Sequence, residues 1–218
     1  HTLSLHDALP ISWFWAAARD GRASRYYRYF DLDLTQSRFV LPLLGGPLET
    51  CVAEGHVRLV SGLPGSAVAE PCLAVYDGHL PLRPDCPAQV LNQDDPEALL
   101  ALVDKQHYDL RPWQDAARCC GYRRFFDVNE LIALRITERE VFHAVHAPLQ
   151  PYLQAGLLHG CRVDHIDGLF EPAAYLAMLR DFVGPEAIIL VEKILRPEKH
   201  GAGEVLPAHW RADGTTGY

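Results

Sequence analysis

Two clusters of charged residues could do chemistry together. In Gly160–Leu169, GCRVDHIDGL, the residues Arg162, Asp164, His165 and Asp167 follow a short apolar stretch, and Gly168 closes a polar turn. Glu192 and Lys193 directly follow a second apolar run, Ala187–Val191. Carboxylates presented at strand ends are the groups from which acid–base or nucleophilic catalysis is built. Charge at the C-terminal end of a strand in a β/α array reads as chemistry rather than packing. A surface ion pair between Arg162 and Asp164 is the plainer alternative. A metal site on His165 and Asp167 is another, although D-H-x-D has no third clear ligand.

These residues share a site only if the elements beneath them are neighbours. Asp164 and Glu192 lie 192 − 164 = 28 positions apart, with a helix predicted from Glu171 to Phe182 between them. That is the length of one βα unit, so adjacent parallel strands would carry both carboxylates to one rim. Upstream, Glu138–Ala155 has helical spacing interrupted by Pro148 and Pro151, which predicts a kink or break. Thr137–Glu140 has the form of a capping box. Glu130–Arg135 reads as a short helix and Gln106–Trp113 as a loop. Asp95, Pro96 and Glu97 signal the start of a helix running to Lys105. Residues 39–96 read as a small, mostly β region, with strands at 39–44, 57–60 and 73–76 and a turn at Asp77-Gly78. Trp13–Asp33 is dense in aromatics and arginines, either a sugar-stacking surface or a hydrophobic cluster with snorkelling arginines. His1–Ser12 has little periodicity and is set aside as a scar segment.

Composition narrows the class. The chain has 218 residues, 49% of them hydrophobic and 22% charged, as in ordinary globular proteins. A formal net charge of −8 without Lys/Arg clusters argues against nucleic-acid binding. No apolar run is long enough to cross a membrane. Six cysteines show no C-x-x-C pair, which suits reduced thiols in the cytoplasm.

Four motifs, YRRFFDVNEL (122–131), GCRVDHIDGL (160–169), ILVEKIL (189–195) and DGTTGY (213–218), together resemble the maltooligosyltrehalose synthase family of the α-amylase superfamily. LLALVDKQHYDLRPW (99–113) and WFWAAARDGRASRYYRYFDLD (13–33) also look like its segments, so the resemblance covers residues 13–218. It implies an α/β fold: a partial (β/α)8 TIM barrel, about strands four and five, at 122–218, preceded by an inserted helical/β subdomain at 13–121. It implies a cytoplasmic isomerase of trehalose biosynthesis acting on maltooligosaccharides, without cofactor or metal. By this likeness Asp164 is the nucleophile, Arg162 orients it and keeps it charged, and Glu192 is the acid/base. His165 and Lys193 match sugar-contacting positions, and Tyr122, Arg123, Arg124 and Phe125 match a pocket-forming loop.

The superfamily's earlier D-x-x-x-N-H strand has no counterpart here, and its third catalytic carboxylate would fall beyond Tyr218. The chain is therefore expected to be an internal fragment, inactive alone, because a barrel closes only with all its strands. The resemblance further implies retaining chemistry. Asp164 forms a glycosyl intermediate, and Glu192, in a less polar setting, acts as acid and then base. The released glucose then attacks through its own anomeric hydroxyl while water is kept out. Rival readings are another α-glucan hydrolase or transglycosylase, a non-catalytic carbohydrate-binding module, and the metal-dependent hydrolase on His165 and Asp167.

Overall fold

The computed structural model describes residues 2–4, 8–61, 70–86, 95–196 and 203–217. The breaks expected at 61–71 and 83–96, and the start of the Gly-rich stretch at Lys199, fall in large part outside them. The chain is α/β and divides into two compact units, His1–Leu134 and Arg135–Tyr218.

The first unit runs β1 (Thr2–Ser4), α1 (Ala8–Asp20), β2 (Phe39–Leu44), α2 (Leu48–Ala53), β3 (Val57–Val60), β4 (Cys72–Val75), β5 (Gly78–Pro81), α3 (Pro96–Asp104), β6 (Tyr108–Pro112), α4 (Ala116–Cys119), β7 (Arg124–Phe125) and β8 (Val128–Ala133). Strands β3–β4–β5 form an antiparallel meander, β2 pairs in parallel with β6, and β8 lies antiparallel between β1 and β7. The first unit extends to Leu134 through that last sheet, in which β8 pairs Leu131–Ala133 with Ser4–Thr2.

Several local expectations hold for stated physical reasons. The Asp95 carboxylate accepts from the Glu97 and Ala98 N–H groups, 3.1 Å each, satisfying two of the orphan donors that open α3. Ser24 caps the 3-10 turn at Arg25–Tyr29 by accepting from the Tyr26 N–H at 3.3 Å. The aromatic segment is mostly core: Phe14, Tyr27, Tyr29 and Phe30 are buried, and Phe39 meets Phe14, Tyr27 and Phe30 edge-on. This is the hydrophobic-cluster alternative.

Others are corrected. Val128–Ala133 is strand β8, not a helix, because both of its edges are filled by other strands. Tyr108–Pro112 is strand β6, not loop; its buried Tyr108 and Leu110 alternate against β2. Residues 2–4 and 8–12, set aside as aperiodic, are strand and helix. The capping box fails: Glu138 is the N-cap of the following helix, with no side-chain bond to its amides.

The second unit runs α5 (Arg139–His146), α6 (Gln150–Gln154), β9 (Gly160–Val163), α7 (Pro172–Val183), β10 (Ile188–Val191) and β11 (Gly214–Thr215). The expected break at Pro148 and Pro151 is present as a 3-10 turn over Ala147–Leu149 between α5 and α6. Strands β9 and β11 flank β10, and both pair with it in parallel. On one face of the sheet, Val163, Ile189 and Val191 pack into a core with Phe142 of α5 and Tyr175, Leu176 and Leu179 of α7. Burying one strand face beneath helices fixes which alternate residues face away from them.

Candidate active site

The alternation delivers the charged residues. Val163 pairs with Val191 and Arg162 with Leu190, so the next residues of the two strands, Asp164 and Glu192, leave the sheet at the same end. Arg162, Ile188 and Leu190 occupy the face opposite the helical core, where Ile188 is 56% exposed. The Glu192 N–H still donates to the Val163 carbonyl at 2.8 Å, extending the ladder one step beyond the strands.

Arg162 holds Asp164 with a two-pronged fork: Nη2 donates to Oδ2 at 2.9 Å and Nε lies 2.6 Å from Oδ1. The hydrogen bond to Asp164 raises the Arg162 pKa, aided by the negative charges of Asp164 and Glu192. The geometry leaves Asp164 oriented but open, since both side chains are 56% exposed. Glu192 is exposed as well.

The second carboxylate is tied to the first strand by its turn. The backbone N–H of His165 donates to Oε2 of Glu192 at 3.0 Å. His165 sits in the left-handed region, φ 54 and ψ 42. Its carbonyl accepts from the Gly168 N–H at 3.0 Å, closing the turn. The imidazole lies over Gly168, where a Cβ would collide with the ring atoms Cδ2 and Nε2.

Lys193 is engaged by the protein. Its ammonium lies 3.2 and 3.3 Å from the two oxygens of Asp167 and 3.3 Å from Glu204, and its side chain is 15% exposed. Burial pushes the ammonium down, but Asp167 and Glu204 outweigh it and hold its pKa above the ordinary lysine value. The Thr215 hydroxyl accepts from the Lys193 N–H at 3.2 Å and lies 2.7 Å from the Lys193 carbonyl. Asp167, Lys193, Ile194, Arg196 and Glu204 line a polar cavity of about 410 Å³.

Thus Arg162, Asp164, His165, Glu192 and Lys193 come together at one sheet rim. Tyr122, Arg123, Arg124 and Phe125 belong to the first unit. There the Tyr122 hydroxyl donates to the Asn129 carbonyl at 2.7 Å, and Arg123 pairs with Asp31 at 2.8 Å. Arg124 bonds Asn129 and Asp127, and Phe125 meets Phe126 edge-on. Among the described residues, no group of three His, Cys, Asp or Glu side chains is placed to hold a metal ion. The contribution of Glu204 had no signal in the sequence, and that of Thr215 only its place in the DGTTGY motif.

Comparison with known proteins returns the family that the four motifs resemble. No protein-family model matches the chain. Putative maltooligosyl trehalose synthases from two strains of Mycobacterium tuberculosis are 38% identical over 209 residues, which is 95% of this chain. The chain spans about a quarter of the length of these curated relatives, 24%. Among solved structures, maltooligosyltrehalose synthase from Arthrobacter ramosus matches 99% of the chain at a TM-score of 0.76 and 32% identity, over 25% of its own length. The DSM5389 glycosyltrehalose synthase matches all of the chain at 0.82 and 31% identity, over 28% of its own length.

Proposed function

We propose that this chain supplies the nucleophile and acid/base strands of a maltooligosyltrehalose synthase, acting on α-1,4-linked maltooligosaccharides in trehalose biosynthesis. The observation that carries this is the register of β9 and β10. It sets Asp164 and Glu192 one residue past the paired Val163 and Val191, with the His165 N–H bridging to Glu192. In this reading β9 and β10 are the fourth and fifth strands of a (β/α)8 barrel. Helices covering one face of a parallel sheet, and a face that leaves Ile188 and Arg162 exposed, support that placement. The exposed side would face the barrel interior.

The reaction follows from the two carboxyls. Glu192 gives its proton to the oxygen of the α-1,4 linkage at the reducing end. An Asp164 oxygen, oriented by Arg162, attacks the anomeric carbon as that bond breaks, forming a glycosyl ester. The freed glucose turns in place and its anomeric hydroxyl attacks the ester carbon. Glu192 takes the hydroxyl proton, and Asp164 leaves as carboxylate. The product is an α-1,1 linkage with no net change in atoms or charge, so no cofactor enters the balance. Water must be kept from the ester, because it would release a hydrolysed sugar instead. Free thiols at all six cysteines support a reducing, cytoplasmic setting.

The experiment replaces the matching segment of the Mycobacterium tuberculosis relative with this chain and supplies maltopentaose. An α-1,1 linkage joins two anomeric carbons, so reducing ends should disappear without release of glucose. Release of glucose or maltose alone would place the chain with α-glucan hydrolases. A folded chimera with no turnover, or one indifferent to Asp164→Asn, would refute the catalytic assignment and favour a carbohydrate-binding role.

A further inference from the structure

We infer that Asp167, Gly168 and Lys193 are positioning residues for Glu192: they clamp the turn at His165 so that its backbone N–H stays on the Glu192 carboxylate. Only the catalytic meaning of Glu192 rests on the glycosyl-transfer reading; the clamp itself rests on geometry.

The turn needs restraint. A non-glycine residue in the left-handed region is held against an intrinsic steric cost, and His165 is one of three such residues in the described chain. Its φ is the torsion that follows the N–H donated to Glu192, so relaxing the turn would swing the donor away. Three contacts oppose that. The Gly168 N–H closes the turn on the His165 carbonyl at 3.0 Å. The imidazole fills the space that the missing Cβ of Gly168 leaves. The Asp167 carboxylate grips Lys193, the residue next to Glu192, at 3.2 and 3.3 Å. Both ends of the N–H···Oε2 bond are therefore tied to each other a second time, two residues beyond His165 and one beyond Glu192.

Lys193 is itself anchored, by Glu204 on its ammonium and by Thr215 on its backbone. With two carboxylates already on the ammonium, its role here is that of a strut. The charged and titratable groups around the bond are the His165 imidazole itself, Arg162 and Asp164 on the β9 side, Asp167 in the turn, and Lys193 and Glu204 beyond β10. The consequence for the reaction is geometric. An acid/base residue must hold its oxygens in place while it gives a proton and later takes one. The His165 N–H occupies Oε2 and leaves Oε1 as the oxygen that passes the proton.

The test follows the His165 amide proton by NMR in the full 218-residue chain during a pH titration. An amide bonded to a carboxylate moves when that carboxylate takes up a proton. In the unaltered chain the His165 amide should move with Glu192, and Glu192→Gln should abolish that component of the movement. Asp167→Asn, Lys193→Met and Gly168→Ala should each cut its amplitude by about twofold or more, the scale of a partly exposed ion pair. Lys193→Arg should restore it. The Phe142 amide, which donates to the Glu138 carbonyl at 2.8 Å in the core, reports whether a variant has kept its fold. Where Lys193→Met disturbs it, Asp167→Asn, which keeps every backbone bond, decides. Full amplitude in folded Asp167→Asn and Gly168→Ala, or an unaltered chain in which the His165 amide ignores Glu192, would overturn the inference. No turnover is measured, so this result stands apart from success or failure of the isomerase assay.

Discussion

Asp213→Ala should loosen the edge of the sheet on which the site is built. Oδ2 of Asp213 accepts two hydrogen bonds, from Arg180 Nη2 at 2.6 Å and from the Ile189 N–H at 2.7 Å. Its own N–H donates to the Ile189 carbonyl at 2.8 Å, so this residue docks β11 on β10 and thereby brings Thr215 to Lys193. Ile189 is fully buried. Leaving its N–H without an acceptor costs about 1–3 kcal/mol. The ion pair adds less, about 0.5 kcal/mol, because the Asp213 side chain is 50% exposed and screened. Arg180 also keeps the carbonyls of Gly184, Pro185 and Ala187. A total of about 1.5–3.5 kcal/mol corresponds to roughly 10–400-fold faster hydrogen exchange at the Ile189 amide. Asp213→Asn retains a neutral acceptor and should lose about 1 kcal/mol. The Ile189 N–H first, and Arg180 second, hold the Asp213 carboxyl below the usual aspartate range. Its contribution is therefore present above the unfolded value of about 3.9 and is lost as pH falls through the lower folded value. Equal losses from the Ala and Asn variants, or an Ile189 exchange rate within about twofold of the unaltered chain, would refute the reasoning.

Burial lowers the pKa of His146 below the ordinary histidine value. Its Nδ1 must donate to the Phe142 carbonyl at 2.7 Å, leaving Nε2 to accept from the Tyr175 hydroxyl at 3.2 Å. Stability should be full above about pH 6.5 and fall as pH drops below it, since the unfolded chain takes the proton first. Urea unfolding of the chain at about pH 7.5 and about pH 5.5 checks this, and a flat response would contradict it. Phe142, fully buried and stacked on His146 at 4.1 Å, should lose about 3–5 kcal/mol on Phe142→Ala by the same assay. In the maltopentaose chimera, Glu192→Gln should slow formation of trehalose-ended product by about 10²–10⁴-fold, the usual yield of general acid–base catalysis. A loss under about tenfold would remove Glu192 from that role.

What the sequence disclosed was local. The α3 start at Asp95, the α7 start at Pro172 and the runs of β2, β3, β4 and β10 carry their signals within a few residues. The misses depend on distant partners. VNELIA is a strand because β1, more than a hundred residues earlier, and β7 fill its two edges. Tyr108–Pro112 mixes Asp, Arg and Pro into its alternation and is completed only by β2. At the site, the period-two spacing of Arg162 and Asp164 and the 28-residue gap to Glu192 were enough to place both carboxylates on one rim. The left-handed turn at His165 left only the nearby Gly168 as a trace. The grip of Asp167 on Lys193 joins residues 26 apart whose pairing no local pattern encodes.

The separation of the Asp164 and Glu192 carboxyl groups in a crystal structure of a polypeptide carrying this chain is the most direct test of a shared sugar site. Attack by Asp164 followed by reuse of Glu192 as base requires about 5–5.5 Å. A separation of about 6.5–9.5 Å would instead admit a water and an inverting hydrolysis. Anything much beyond about 10 Å would mean that the two carboxylates do not serve one glycosidic bond.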